Sequence, residues 1–561
     1  MADQAAAAPD TFGPQRAISW YEEGKTDRAA FETTWKAARR VFFPGSQDFV
    51  AQNDTQGKRD RNVAVDGHGI LAANDLADYI VAAAANPQQK WITFEVEGEL
   101  SPSPAGREWL EGTRDDILGD LHDPNSRFDE ALKAAAKEYA VFANGPFYTG
   151  DRPGKLPVYM PVPLASAVWE LDTDGELLRF GWKCRWTARQ AVDKWPGKVS
   201  SKIEEAAKVE TGNATRREFL HVMDRNPAFV PGSDVPRERQ YRVRWIECDG
   251  AHVISTSYLE ESCYSIFAAL PQPGEAYGRG CGDNALEDTQ MAQRVRVSTI
   301  RGMEKAVDPI TIVPDDGVVS LPTNEARGLL VVRSELMRNG NVPVQTLRYE
   351  GRPDLGLEVS KILHEAIDRH FYTHYTRLPR EPRMPTQQII GLQEEQMRAL
   401  GPLLTSFQRP LGQIVMRTYN IRRRDGRLRP LPPEWQDRDI KLKLKLEPPA
   451  LRQMRLAEVR AFIQWLEIVG MATQVEPGVA HVPNLITAIA EVGSVLGVPQ
   501  RWINSADQVQ QMLGTQRQVA EDQAATEQAL DATTAAKNIA PLLKVLQGSR
   551  ENAGTPAMAA A

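Results

Sequence analysis

The chain has 561 residues, 42% of them hydrophobic and 25% charged, with a formal net charge of -7. That length exceeds one hydrophobic core, and at about 150 residues per domain it implies three or four packed units of ordinary globular composition. The acidic balance excludes a protein that coats nucleic acid with a net basic surface, though not one with a local basic strip.

Cys184, Cys248, Cys263 and Cys281 include no C-x-x-C pair. This spacing speaks against a zinc–thiolate cluster or a disulfide framework, and four reduced thiols are expected. The Ala-rich start has neither a basic n-region nor an apolar h-region, and no stretch approaches 18 uninterrupted apolar residues. No signal peptide and no membrane span are expected.

Residues 1–14 read as a disordered tail, with helix from about Arg16. Phe31, Trp35, Ala38 and Phe42 recur at helical spacing on one face, and Pro44-Gly45 ends the run. A second helix spans roughly 66–86. Trp91 to Phe94 switches to extended chain, and a third helix begins near 123–125, carrying Phe128, Leu132 and Tyr139.

From 157 to 190 the texture is β, with Asp172-Thr-Asp-Gly175 as a hairpin signal before an aromatic strand, Leu178 to Trp186. A short helix covers 187–195. Residues 196–240 are charged and poorly periodic, reading as a helix and a mobile loop. Tyr241–Ile246 and Ala251–Tyr258 form a hairpin around Cys248-Asp249-Gly250.

A long helix is predicted over 284–306, strand-like pieces over 307–355 and helix again over 357–375. A proline-rich basic break follows at 376–385. The next helix, 386–420, is expected to be interrupted near Gly401-Pro402 and Pro410. Lys441 to Leu446 alternates strictly, as a half-exposed strand does. Helices follow at 450–470 and 484–497. The Ala/Gln-rich segment from Asp507 has helical composition with a sparse apolar stripe, so it must lean on neighbours.

Catalytic motifs are missing. No G-x-x-x-x-G-K-[ST] phosphate cradle occurs, and Gly278-Arg-Gly-Cys-Gly282 fails G-x-G-x-x-G because Asp283 stands at the third glycine. That segment reads instead as a flexible turn capping the following helix. His364-Glu365 fails the H-E-x-x-H test because Asp368 holds the second histidine position. His370 and His374, at i and i+4, are better read as a packed helix face than as metal ligands. No metal, cofactor or catalytic residue is assigned.

Several blocks, in order, resemble the head-to-tail connector (portal) proteins of short-tailed, podovirus-type bacteriophages. They are Arg28-Ala-Ala-Phe31-Glu-Thr-Thr-Trp35 through Phe43-Pro44; the Ala-rich helix leading to Pro87 and Trp91; Asn125 to Gly145; and the 157–195 unit. The most specific is Glu275-Ala-Tyr277-Gly278-Arg279-Gly280 with Gly282 and Leu286-Glu-Asp288, similar to the family's Y-G-R-G segment and following helix. Phe31, Trp35, Tyr277, Gly278, Arg279 and Gly280 are the motif residues with expected structural roles. Arg383-Met-Pro-Thr386 resembles the region after the channel loop, but Thr386-Gln-Gln-Ile stands where the family has Thr-Ala-x-Glu.

The resemblance implies an α+β, predominantly helical portal-type fold. Its parts are a disordered tail (1–14), a wing of helices and hairpins (15–283), a stem helix (284–306), a small β-containing clip (307–356) and a second stem helix (357–375). A channel loop (376–385), a kinked helix and return to the wing (386–506), a crown helix (507–547) and a disordered tail (548–561) complete it. It further implies a homo-oligomeric ring, usually of twelve subunits, at one capsid vertex. By the same resemblance, double-stranded DNA is expected to be packaged and ejected through the ring, with terminase, tail adaptor, scaffolding and major capsid proteins as partners and no membrane. The location it implies is the virion, and the host cytoplasm during assembly.

A channel must pass DNA without gripping it, so few basic rungs suit it better than many. Twelve copies would carry 12 × (-7) = -84 formal charges. The candidate rungs are Arg377, Arg380 and Arg383, in a loop stiffened by Pro379, Pro382 and Pro385. Arg294, Arg301 and Lys305 share one helical face and are the second candidates. A basic surface loop and ordinary intersubunit ion pairs are the competing readings. Two other functions stay open: a ring-forming viral adaptor without a portal role, and a nucleic-acid-processing enzyme, which would need a carboxylate cluster.

Overall fold

The computed structural model describes residues 12–44, 65–97, 103–152, 154–209, 215–233, 235–269, 275–307, 311–314, 329–332, 345–346, 353–376, 386–436, 442–446 and 449–473, with isolated positions between 482 and 515. These fall in two compact units, residues 1–99 with 110–451, and residues 100–109 with 452–561. The fold is α+β and predominantly helical, compatible with a portal-type connector. No helix among the described residues is long and apolar enough to cross a membrane.

The chain begins with α1 (Pro14–Asp27) and α2 (Ala29–Phe42). Pro14 sits in the first turn, where its missing N–H costs nothing. The break between the helices is held by Arg28. Its buried guanidinium donates to the carbonyls of Leu164 (3.0 Å), Ala165 (2.5 Å) and Ala167 and to Glu32 (3.0 Å). The expected tail of 1–14 is corrected at its end. Phe12 is buried against Trp20, and its carbonyl accepts from Arg244 at 2.8 Å. Burying this one aromatic ring removes enough apolar surface from water to fix residues 12–14.

Next come α3 (His68–Ala84), β1 (Ile92–Val96), α4 (Pro104–Leu121) and α5 (Phe128–Phe142). The third predicted helix therefore starts later than expected, because Ser126 forms a turn whose hydroxyl accepts from the Phe128 amide. α4 has no counterpart in the elements expected from the sequence.

β2 (Asn144–Gly150), β3 (Val158–Pro161), β4 (Ala167–Leu171) and β5 (Leu177–Thr187) follow. The β4–β5 hairpin turns where predicted, with Gly175 at φ +74°. α6 (Ala188–Lys194) opens on a capping box, with Thr187 accepting from the Gln190 amide while the Gln190 side chain accepts from the Thr187 amide.

α7 (Ser201–Lys208) leads into β6 (Arg216–Arg225), then β7 (Tyr241–Glu247), β8 (His252–Leu259) and β9 (Tyr264–Ala268). β6 corrects the loop expected in 196–240. It is the central strand of an antiparallel sheet ordered β4-β5-β6-β7-β8. Leu220 and Val222 pack on Trp20, Tyr21 and Ile246, while Phe219 joins Ala188, Trp195 and Ile203 of another cluster. A strand covered on both faces lacks the alternation that marks a half-buried one. A second sheet, β3-β2-β9, lies against α5.

α8 (Cys281–Asn284) and α9 (Leu286–Val307) follow, then a three-stranded sheet of β10 (Thr311–Pro314), β11 (Leu329–Val332) and β12 (Gln345–Thr346). α10 (Pro353–His370) returns along α9. The helix expected over 357–375 is thus two pieces: Tyr372, at φ +55°, separates α10 from α11 (Thr373–Thr376). The break removes the i, i+4 relation of His370 and His374.

α12 (Thr386–Arg424) runs without interruption through Pro402 and Pro410, contrary to the expected break. Each proline costs about 3 kcal/mol in a helix. Leu400, Leu404, Phe407, Leu411, Ile414 and Val415 form one buried stripe, worth roughly 1.5–3 kcal/mol each, so tertiary burial outweighs the two lost bonds. β13 (Leu442–Leu446) pairs antiparallel with β1, its Leu444 and Leu446 lying over Gly412 and its Lys445 meeting Glu95 at 3.2 Å. α13 (Pro449–Thr473) follows. The predicted helix at 484–497 is described only at scattered positions, and the crown and C-terminal tail expectations lie almost wholly outside the described residues.

Candidate functional site

The Y-G-R-G segment is a rigid buckle rather than a flexible turn. Asn144, at the start of β2, holds it on both sides of one residue: its amide donates to the Gly278 carbonyl at 2.9 Å and its oxygen accepts from the Gly278 amide at 3.0 Å. A Cβ at Gly278 would lie 2.7 Å from the Ala269 carbonyl, and one at Gly280 would overlap the Val141 carbonyl. Gly280 has φ -91° and ψ 173°, which any residue adopts. Close approach of backbone to backbone, not conformation, therefore demands these glycines.

Tyr277 packs between Trp169 (ring centroids 4.3 Å apart), Trp35 (5.4 Å) and Phe31 (5.7 Å). Trp169 donates its indole N–H to the Ala276 carbonyl at 3.0 Å. Arg279 pairs with Glu275 at 2.9 Å and lies over Phe31. Blocks near residues 31, 142, 169 and 277 thus meet at one point, immediately before α9.

From this buckle, α9 and α10 run as a helical hairpin, the β10–β12 sheet lying between them in sequence. They approach closely where Gly356 faces Thr299. At the base, the Gln293 side chain accepts from the Val65 and Asp66 amides (2.7 Å each) and donates to the Asp66 carbonyl (2.6 Å). His364 meets Asp66 at 2.6 Å, His68 meets Asp368 at 3.0 Å, and His370 meets Asp288 at 3.1 Å. Burial alone would raise the Asp66 carboxyl, but the bonds from His364 and the His68 amide outweigh it and hold it below the usual range. His68 and His364 tie α10 to the start of α3, and His370 ties α10 to α9; no metal-binding cluster occurs among the described residues.

Along the hairpin, Arg294, Arg296 and Arg301 are exposed and form no ion pair among the described residues. Lys305 is half-buried. Met291, Leu355, Val359 and Ile362 are also exposed, beside a groove of about 720 Å³ lined by Arg294, Val295 and Thr299. Arg377, Arg380 and Arg383 lie outside the described residues. Sequence reasoning missed Arg28, Asp66, Asn144 and Gln293. Beside any local bonds, each also reaches a partner at least 134 residues away, which no short-range pattern marks.

The arrangement is a scaffold: an aromatic and glycine buckle fixing the root of a helical hairpin, with polar groups spent on holding backbone. The chain matches the model of the bacteriophage head to tail connecting protein family over residues 14–503. It belongs to that family, and so is a structural protein of the phage head–tail junction, where it assembles with capsid and tail proteins. No curated protein matches the chain.

Proposed function

We propose that the chain is the portal of a short-tailed bacteriophage, forming a homo-oligomeric ring at one capsid vertex through which double-stranded DNA is packaged and ejected. One observation carries this reading: a rooted helical hairpin, α9 and α10, interrupted by a small sheet and carrying exposed arginines and apolar side chains that one subunit does not cover. Exposed large apolar groups in a row mark a surface that another chain covers. Heterologous contacts of this kind close into a ring when the rotation permits.

In this proposal 15–283 is the wing, 284–306 and 357–375 are the stem, 307–356 is the clip and 376–385 the channel loop. Arg377, Arg380 and Arg383 are the channel rungs, with Arg294, Arg301 and Lys305 as the second set. Residues 386–506 return to the wing and 507–547 form the crown. Terminase, tail adaptor, scaffolding and major capsid proteins are the partners.

The test is the mass and shape of purified protein, by light scattering after gel filtration and negative-stain imaging. Twelve subunits of 62.4 kDa give 12 × 62.4 ≈ 749 kDa. Annular particles near that mass, with a central hole, support the reading. A monomer that never closes into rings under assembly conditions, or that cleaves plasmid with Mg²⁺ or Mn²⁺, overturns it.

A further inference from the structure

The five-stranded sheet carries a feature outside the proposed stem and channel. Trp186 at the end of β5, Trp195 just after α6 and Trp245 on β7 form a triangle, with ring centroids 5.3, 5.1 and 5.0 Å apart. The Lys194 ammonium sits 4.2 Å from the Trp186 centroid, 4.5 Å from Trp245 and 4.8 Å from Trp195. Phe219 and Ile254 back the rings, and His221 packs against Trp245 with ring centroids 4.1 Å apart. The cage walls are therefore fixed by the core. Trp186 and Trp245 keep part of their surface in water, and Lys194 is exposed.

The occupant is poorly matched to its surroundings. Among the described residues Lys194 has neither a carboxylate partner nor a hydrogen-bond acceptor, so its ammonium meets π surfaces on one side and solvent on the other. A primary ammonium is strongly hydrated and gives up part of that hydration where it lies over the rings. Burial accordingly lowers the Lys194 proton affinity below the ordinary lysine value. A quaternary ammonium has no N–H to satisfy, is weakly hydrated, and is the cation that tryptophan faces hold best. Lys194 is the last residue of a seven-residue helix held at its other end by the capping box, so rotation of its side chain vacates the cage without disturbing the backbone.

We propose that Trp186, Trp195 and Trp245 form a binding site for an organic ammonium ion, quaternary by preference, which Lys194 occupies as a displaceable internal ligand in the free chain. The ligand binds by cation–π contact with three indole faces, and no covalent step is involved.

Choline and its neutral isostere 3,3-dimethyl-1-butanol are the probes, used on the full chain. Lys194→Gln empties the cage of charge. Calorimetry on this variant should show saturable choline binding about tenfold tighter than the isostere, the ratio that ~1.4 kcal/mol of cation–π attraction supplies. Adding Trp245→Leu should remove that preference. In the unaltered protein, choline should expose Lys194 to limiting acetic anhydride, raising its acetylation in peptide maps. Equal concentrations of sodium chloride or the isostere should not. Unchanged Lys194 acetylation in choline overturns the proposal, and so does a Lys194→Gln variant that treats choline and the isostere alike. The acetylation experiment needs no variant, so it decides the matter even if the substitution impairs folding.

Discussion

Replacing Gly280 by Ala adds a single methyl group where the backbone would tolerate it and the space does not. The added Cβ would overlap the Val141 carbonyl oxygen and stand 2.6 Å from the Ala143 amide nitrogen, roughly an ångström inside ordinary contact. Both obstacles are backbone, and Val141, Phe142 and Ala143 are themselves buried, so neither side yields cheaply. Overpacking of this kind costs about 1–3 kcal/mol, and backbone obstacles place it at the upper end. The alanine returns some 0.4–1 kcal/mol by restricting the unfolded chain. The expected net loss is about 2 kcal/mol, read as a lower urea midpoint.

Gly119→Ala is the internal control. Gly119 is exposed in α4, and a methyl group added there would meet nothing within 4 Å, so alanine should stabilise by up to about 1 kcal/mol through helix propensity alone. If Gly280→Ala is as stable as the unaltered protein, the buckle does not depend on close backbone approach and the account of the Y-G-R-G segment fails.

Replacing Arg377, Arg380 and Arg383 together by Ala should leave rings intact while altering DNA packaging or retention in an assembly assay; loss of rings would refute their assignment to the channel. Burial pushes the Glu138 carboxyl up to about 7 from an ordinary 4.5, against the pull of Arg39 and the Leu164 amide. The folded state therefore holds a proton that the unfolded state has lost, and stability should fall by about 3 kcal/mol as pH rises from about 4.5 to 7. Glu138→Gln should flatten that part of a stability-versus-pH curve. Phe12→Ala should cost about 3 kcal/mol by emptying its place beside Trp20, and limited proteolysis should then cut the N-terminal segment faster.

Local pattern was enough for elements whose signal is short-range. The α2 face of Trp35, Ala38 and Phe42, the Asp172–Gly175 turn and the alternation of Leu442 to Leu446 each depend on residues a few positions apart, and each stands where the pattern puts it. β6 was illegible because burial on both faces erases its period. α12 was misread because a proline's cost is local while the burial that overrides it is not. The motif block at 275–288 was legible as a resemblance, but its reason was not: the glycines answer to Val141, Ala143 and Ala269, and Tyr277 to Phe31, Trp35 and Trp169.

The sequence by itself determined the helical character, the hairpins and the family, because periodicity, turn chemistry and ordered motif blocks are properties of the chain alone. Tertiary structure alone decided which polar residues hold backbone, where helices tolerate proline or break, and that Lys194 rests among three tryptophans from separate elements. Those outcomes turn on close approach between residues far apart in sequence, and such distances exist only once the chain has folded.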